Sequence, residues 1–198
     1  KDTIKGENEL EIYQFKTKDV TLVPGKLGAP ACAGFLEDLI ALGAEKIMFC
    51  GGGGVLRADL QVGKLVVIDS AIRDEGTSYH YIEPAREITA NRNAIEKIKK
   101  YLDQNQLNYI VGKTWTTDAF YRETKQKINL RKEEGAVIVE MEQAAMIAVS
   151  TFRNVMYGAI IYCGDDVSKD TWDKRNWRSR KDIRLGLTKI CIDIVLTF

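Results

Sequence analysis

Five short stretches carry residues whose types and spacing suit chemistry. Asp165 and Asp166 follow the apolar run 155–163, where a carboxyl can be partly desolvated, hold a proton and act as a general acid toward a leaving group. Helix capping is the competing use, and it suits Asp166 and Ser168 better. Glu140-Met141-Glu142 stands where a strand hands over to a helix. Two carboxylates one residue apart could grip vicinal hydroxyls of a sugar, with Met141 packing on a flat base; they could equally stabilise the start of a helix through its dipole. Gly51-Gly52-Gly53-Gly54 could turn several backbone N–H groups toward an anion, or serve only as a tight strand exit. No Gly-Lys-Ser/Thr follows and no G-x-G-x-x-G is present, so triphosphate and dinucleotide sites are disfavoured. Phe120 and Tyr121 could stack on a base or belong to the core. His80, the one histidine, reads as surface or structural.

The elements that must position these residues follow from hydrophobic periodicity. Strands are expected over 9–15, 20–23, 46–50, 64–68, near 109–112, and over 136–139 and 155–163. Helices are expected from Pro30 to about Gly43, with Phe35, Leu36, Leu39, Ile40 and Leu42 inward, then over 91–104, 119–132 and 141–152. A closing helix shows Trp177, Ile183, Leu187, Ile190 and Ile194 at helical spacing. Alternating strands and helices predict one α/β domain over residues 1–198, with a mixed, mostly parallel sheet covered by helices on both faces. Ligands then bind beyond the carboxyl ends of the strands, which is where the five stretches lie.

Composition bounds the class. Of 198 residues, 45% are hydrophobic and 29% charged, with a net charge of +1. That is globular, with no electrostatic case for nucleic acid or a membrane surface. Cys32, Cys50, Cys163 and Cys191 form no C-x-x-C pair and stand beside a single histidine, so they read as buried thiols in a reducing cytoplasm, with no metal site.

Taken in order, Leu27-Gly-Ala-Pro30, the glycines 51–54, Asp74-Glu-Gly-Thr-Ser78, Asp118-Ala-Phe-Tyr121, Glu140-Met-Glu142 and Gly164-Asp-Asp166 resemble the nucleoside phosphorylase family, which also contains nucleosidases. The resemblance runs from about Ile12 to the C-terminus. It implies that Glu142, with Glu140 close by, holds the ribose, that Met141, Phe120 and Tyr121 line the sugar and base pocket, and that Gly51 and Gly52 face phosphate. Asp165 matches the residue that protonates a purine base, and Arg178, thirteen positions on, matches the Arg that supports it. The implied activity is phosphorolysis of a purine-leaning nucleoside to free base and ribose 1-phosphate. Phosphate is the co-substrate, no cofactor is needed, and the assembly is a cytoplasmic homo-oligomer, a dimer or a hexamer.

Phe49 and Gly52 stand where phosphorolytic members carry an Arg and a Ser or Thr. The family's other phosphate loop lies upstream of Lys1, so the chain is expected to lack a native N-terminal segment. Arg57 and Arg73 are near the glycines in sequence. The segment from Arg122 to Gln126 does not match the pyrimidine-reading pattern of the uridine branch. Hydrolysis on the same scaffold, or nucleoside binding without turnover, are the alternatives.

Overall fold

The computed structural model describes residues 2–4 and 10–198, with the side chains of 2–4, 10, 11 and 178 excepted. The expected strand over 9–15 therefore begins at a residue outside the described ones, and β2 is seen from Leu10 to Gln14, between β1 (Asp2–Ile4) and β3 (Thr21–Leu22). There follow α1 (Ala29–Ala41), β4 (Lys46–Val55), β5 (Leu65–Asp74), β6 (Glu87–Thr89), α2 (Arg92–Gln104), β7 (Tyr109–Thr117), α3 (Lys125–Glu133), β8 (Ala136–Glu140), α4 (Gln143–Phe152), β9 (Met156–Asp166) and α5 (Lys181–Val195).

The six later strands form one mixed sheet in the order β6-β5-β7-β8-β4-β9. Pairs β4–β9, β5–β7 and β7–β8 are parallel, whereas β4–β8 and β5–β6 are antiparallel. An additional antiparallel pairing, Leu65↔Tyr162 to Val67↔Ile160, joins β9 back to β5. The sheet therefore closes into a ring, with β6 as an appendage. The expected α/β architecture is present, and the closure adds to it.

Strand alternation divides the core. On β9, Tyr157, Ala159, Ile161 and Cys163 pack with α1 and α4, while Ile160 and Tyr162 pack with α2 and α5. Residues 143–150 of α4 are all buried, the pattern of a helix enclosed on every side. On α1 the inward residues are Ala29, Cys32, Ala33 and Leu36, whereas Leu42, expected inward, caps the helix and is exposed. Asn91 caps α2 by accepting from Ala94 N at 3.1 Å. The helix expected over 119–132 is broken into a 3-10 turn, Phe120–Arg122, and α3, because Thr124 accepts from Lys127 N and starts a new helix. Trp177 lies in a separate 3-10 turn before α5.

The glycines 51–54 are not a loop after a strand. They lie within β4, Gly51, Gly52 and Gly53 paired with β9 in parallel and Gly54 with β8 in antiparallel. A Cβ on Gly53 would stand 2.6 Å from the Val139 carbonyl oxygen and 2.9 Å from Ile138, so β8 can approach only a bare backbone there. Strand β5 likewise runs on through Arg73 and Asp74, and β7 through Thr117.

Gly53→Ala should destabilise the chain by about 1–3 kcal/mol, since the clash is with backbone. Gly186→Ala, at an open position of α5, should stabilise it by about 0.5–1 kcal/mol. Thermal melting of the two variants checks the contrast, and equal melting temperatures would contradict it.

Candidate active site

Strands β4 and β8 pair only at Gly54↔Val139 and Val55↔Ile138. One register step further, β8 reaches Glu140, where it ends and the chain turns into α4. On the other side of β4, the register with β9 passes from Gly53↔Cys163 to Val55↔Asp166, so β9 carries an extra residue there. Such a bulge re-aims a side chain, and Asp165 lies in it.

Glu140 is buried and uses both carboxylate oxygens twice. Oε1 accepts from Thr116 Oγ1 at 2.6 Å and Thr114 Oγ1 at 3.0 Å; Oε2 accepts from the backbone N–H groups of Glu142 at 2.6 Å and Gln143 at 2.7 Å. Burial, and then the charge of Glu142, push its carboxyl up to about 7, against the pull of these donors. Two of those donors are free N–H groups of the first turn of α4. Thr116 Oγ1 also accepts from Ala144 N at 3.0 Å. Glu140 is thus a fixed structural anchor.

Glu142 precedes α4 and points away from that anchor. Its Oε1 accepts from Gly28 N at 2.8 Å and its Oε2 from Met141 N at 3.3 Å. Burial raises its carboxyl, and these two donors offset part of the rise. Gly28 can present its N–H this way because it has φ 86° and ψ 153°, a backbone region open essentially to glycine alone. Each oxygen of Glu142 keeps acceptor capacity for hydroxyl groups of a ligand. Met141, between the two glutamates, is half-buried.

The adjacent acids after the last strand separate cleanly. Asp166 is buried and committed: Ser168 donates to Oδ1 from N at 2.9 Å and from Oγ at 2.6 Å, and Arg175 donates to Oδ2 at 2.5 Å. Burial opposes its charge, but the Ser168 hydrogen bonds and Arg175 hold it below the usual carboxylate range. Asp165 is half-buried; its Oδ2 accepts from Trp172 Nε1 at 2.5 Å, and its Oδ1 lies 3.6 Å from where a Cβ on Gly54 would be. Nearby, burial and the charge of Asp165 push the Glu123 carboxyl up to about 7. Glu123 and Asp165 are therefore within electrostatic reach of each other.

Phe120 and Tyr121 are not core residues: they are 46% and 90% exposed, with ring centroids 4.2 Å apart. Asp118 ties their turn to the 74–78 segment by accepting from Gly76 N at 3.0 Å. Gly52 faces the Tyr162 ring, within 2.6–2.8 Å of a would-be Cβ, and the Phe49 ring lies 3.0 Å from a would-be Cβ on Gly51. Arg57 is paired with Asp59 on the surface. Arg73 is buried and donates to Ser78 Oγ and to the carbonyls of Ile82 and Glu83. Neither arginine is turned to the glycines. The side chain of Arg178 lies outside the described residues. His80 is exposed. Thr114, Thr116, Glu123 and Trp172 were not singled out by sequence; the threonines could have been found as alternate residues of a strand next to a buried acid.

The family model of the phosphorylase superfamily matches residues 2–185. The chain is 30% identical over 142 residues to a guanosine phosphorylase of Halorubrum lacusprofundi, a match covering 72% of this chain. The chain spans about three-fifths, 59%, of that relative's length. Among solved structures, a uridine phosphorylase from Vibrio fischeri ES114 superposes with TM-score 0.79 at 22% identity, covering 98% of this chain and 80% of its own. An AMP nucleosidase from Bacteroides thetaiotaomicron gives TM-score 0.73 at 22% identity, covering 90% and 71%. These two likenesses concern the fold.

Two variants test the Glu140 anchor. Glu140→Leu should cost about 1–3 kcal/mol for each N–H left unpaired at the buried helix start. Glu140→Gln mimics the protonated acid and removes its titration. Because the folded carboxyl is raised to about 7, its stabilisation is fully present below the unfolded value and lost as pH rises through about 7. The melting temperature of the unaltered protein should fall relative to Glu140→Gln between about pH 5 and about pH 8. A difference that is flat or of opposite slope would show that the acid is not raised.

Proposed function

The chain belongs to the phosphorylase superfamily, and from that premise we propose that it cleaves the N-glycosidic bond of a purine nucleoside with inorganic phosphate. The observation that carries this reading is the contrast between two carboxylates, one after β8 and one at the end of β9, that are held in different ways. Glu142 is fixed by backbone donors with acceptor capacity to spare, while Asp165, among the described side chains, takes none of the ion pairs that bind Asp166.

In this reading Glu142 accepts from the 2′ and 3′ hydroxyls of the ribose, Glu140 holds the backbone that presents it, and Met141 covers the sugar. Phe120 and Tyr121 give the base an aromatic surface. A phosphate oxygen attacks the anomeric carbon as the C–N bond breaks; the bonding pair goes to the base nitrogen, and the base takes a proton from Asp165. The transition state is a ribose of cationic character, so leaving-group protonation and a fixed sugar are the terms that lower its energy. Arg178 is assigned to support Asp165, and the backbone at Gly51 and Gly52 to contact phosphate. No other cofactor enters. The strong exposure of Tyr121 supports assembly with further copies of the chain, whose neighbours would cover it. A cytoplasmic enzyme fits the four free thiols.

One observation favours a second reading, hydrolysis. Phe49 is partly buried against the core beside Gly51 and supplies an apolar ring where a phosphate clamp would need a cation. Water could then be the nucleophile on the same scaffold.

Base release from inosine, guanosine, adenosine and uridine, with and without phosphate, separates the readings. Phosphate-dependent release from the purine nucleosides is expected; release without phosphate means hydrolysis, and faster release from uridine overturns the purine assignment. Asp165→Asn, nearly isosteric, should lower turnover by about a hundred- to ten-thousand-fold with little change in melting temperature.

A further inference from the structure

Among the described side chains, Asp165 has none of the ion pairs that immobilise Asp166, and a hydrogen bond from Trp172 fixes its Oδ2. The Trp172 indole N–H donates to Oδ2 at 2.5 Å, while Oδ1 lies on the Gly54 side, 3.6 Å from where a side chain there would begin. Trp172 is 56% exposed, so core packing does not place it. It borders a hollow of about 290 Å³ shared with Lys174, Asn176, Trp177 and Ser179, and the Lys174 ammonium stands 5.2 Å from its ring centroid. The indole therefore has room to move, and the bond to Asp165 is the polar contact that aims it.

We infer that Trp172 is a positioning residue for Asp165, its indole N–H occupying Oδ2 so that the transferable proton resides on Oδ1, facing the base. The inference rests on Asp165 being the proton donor of the proposed reaction. An indole N–H can donate but cannot accept or ionise under physiological conditions. It therefore excludes the proton from Oδ2 in the acid form. Once the proton has passed to the base, the same N–H stabilises the carboxylate left behind, as a donor to an ionised acceptor does more strongly than to a neutral one. The bulge in β9 turns Asp165 toward Gly54, whose missing side chain would begin 3.6 Å from Oδ1.

The ionisable groups near Asp165 among the described side chains are compatible with this role, and Arg178, assigned above to support it, is outside them. Glu123, from the turn before α3, interacts with Asp165 as a like charge and is itself raised to about 7. Tyr162, on β9, interacts with Asp165 and with Arg184 of α5, and burial raises its phenol. Lys174 stands over the indole, and Asp166 is turned to Ser168 and Arg175.

The test compares the unaltered full chain with Trp172→Phe and Asp165→Asn, measuring kcat and KM for guanosine with phosphate across pH. Trp172→Phe keeps an aromatic ring and deletes the donor. Its kcat should fall about 10–100-fold with KM little changed, the kinetic equivalent of one hydrogen bond to an ionised group. The alkaline limb of its kcat profile should also move to higher pH, because the carboxylate has lost a stabilising donor. Loss of packing alone would lower kcat or raise KM without moving that limb, and that result overturns the inference. A Trp172→Phe profile like that of the unaltered protein, with Asp165→Asn inactive, also overturns it and leaves the reading of Asp165 standing. Full turnover in Asp165→Asn overturns that reading, and an unaltered chain that releases no base overturns both.

Discussion

A buried carboxylate at the junction of two strands and a helix is the constraint from which the rest of the candidate site follows. Glu140 draws donors from β7 through Thr114 and Thr116, and from the first turn of α4 through the N–H groups of Glu142 and Gln143. An acid removed from water is unfavourable unless its oxygens are fully used, and here each accepts two hydrogen bonds. Because the second pair comes from backbone, the carboxylate fixes the path of the chain. It forces β8 to turn into α4 at Met141, and that turn aims Glu142 back at Gly28. Removing the anchor would leave the start of an almost wholly enclosed helix without partners for its N–H groups.

The candidate site also depends on bare backbone. Strand β4 is held on one side by parallel pairing with β9 and on the other by two antiparallel positions of β8. The meeting of parallel and antiparallel neighbours about one strand makes a place where chains diverge, as at the switch points of open sheets. Gly53 lets β8 come within contact of the strand, and Gly54 leaves the space that Asp165 enters. Closure of the ring by β5–β9 then covers the far side with α2 and α5, leaving the ligand face to the segments after β7, β8 and β9.

Much of this was legible in the sequence because it is local. Clean apolar runs mark the strands, and Glu142 stands at the opening of a helix, as the ordered motifs imply, whereas the cap at Thr124 that splits the helix expected over 119–132 was missed. What was not legible depends on distant partners. Four consecutive glycines read equally as an anion-facing loop or a strand exit, yet pairing with β9 and, at Gly54, with β8 keeps them within the strand. Phe120 and Tyr121 satisfy a core pattern equally well, and only the tethering of their turn through Asp118 leaves them exposed. The ring closure cannot be read at all, since the pairing of β5 with β9 joins residues nearly a hundred positions apart. Trp172 lies outside any periodic segment, so its bond to Asp165 had no local signal.

Two neighbouring aspartates show how one short segment supplies both rigidity and reactivity. Identical side chains, one residue apart, differ because a bulge breaks the alternation between them. Asp166 turns inward to Ser168 and Arg175 and closes the loop after β9, which its backbone pairing with Asp173 reinforces. A carboxylate so fully engaged with cations and donors is a poor proton carrier, since its charge is what the surroundings stabilise. Among the described side chains, Asp165 accepts from the neutral Trp172 indole and has Glu123 as a like-charged neighbour. The immobile acid thus holds the frame in which the adjacent one is presented.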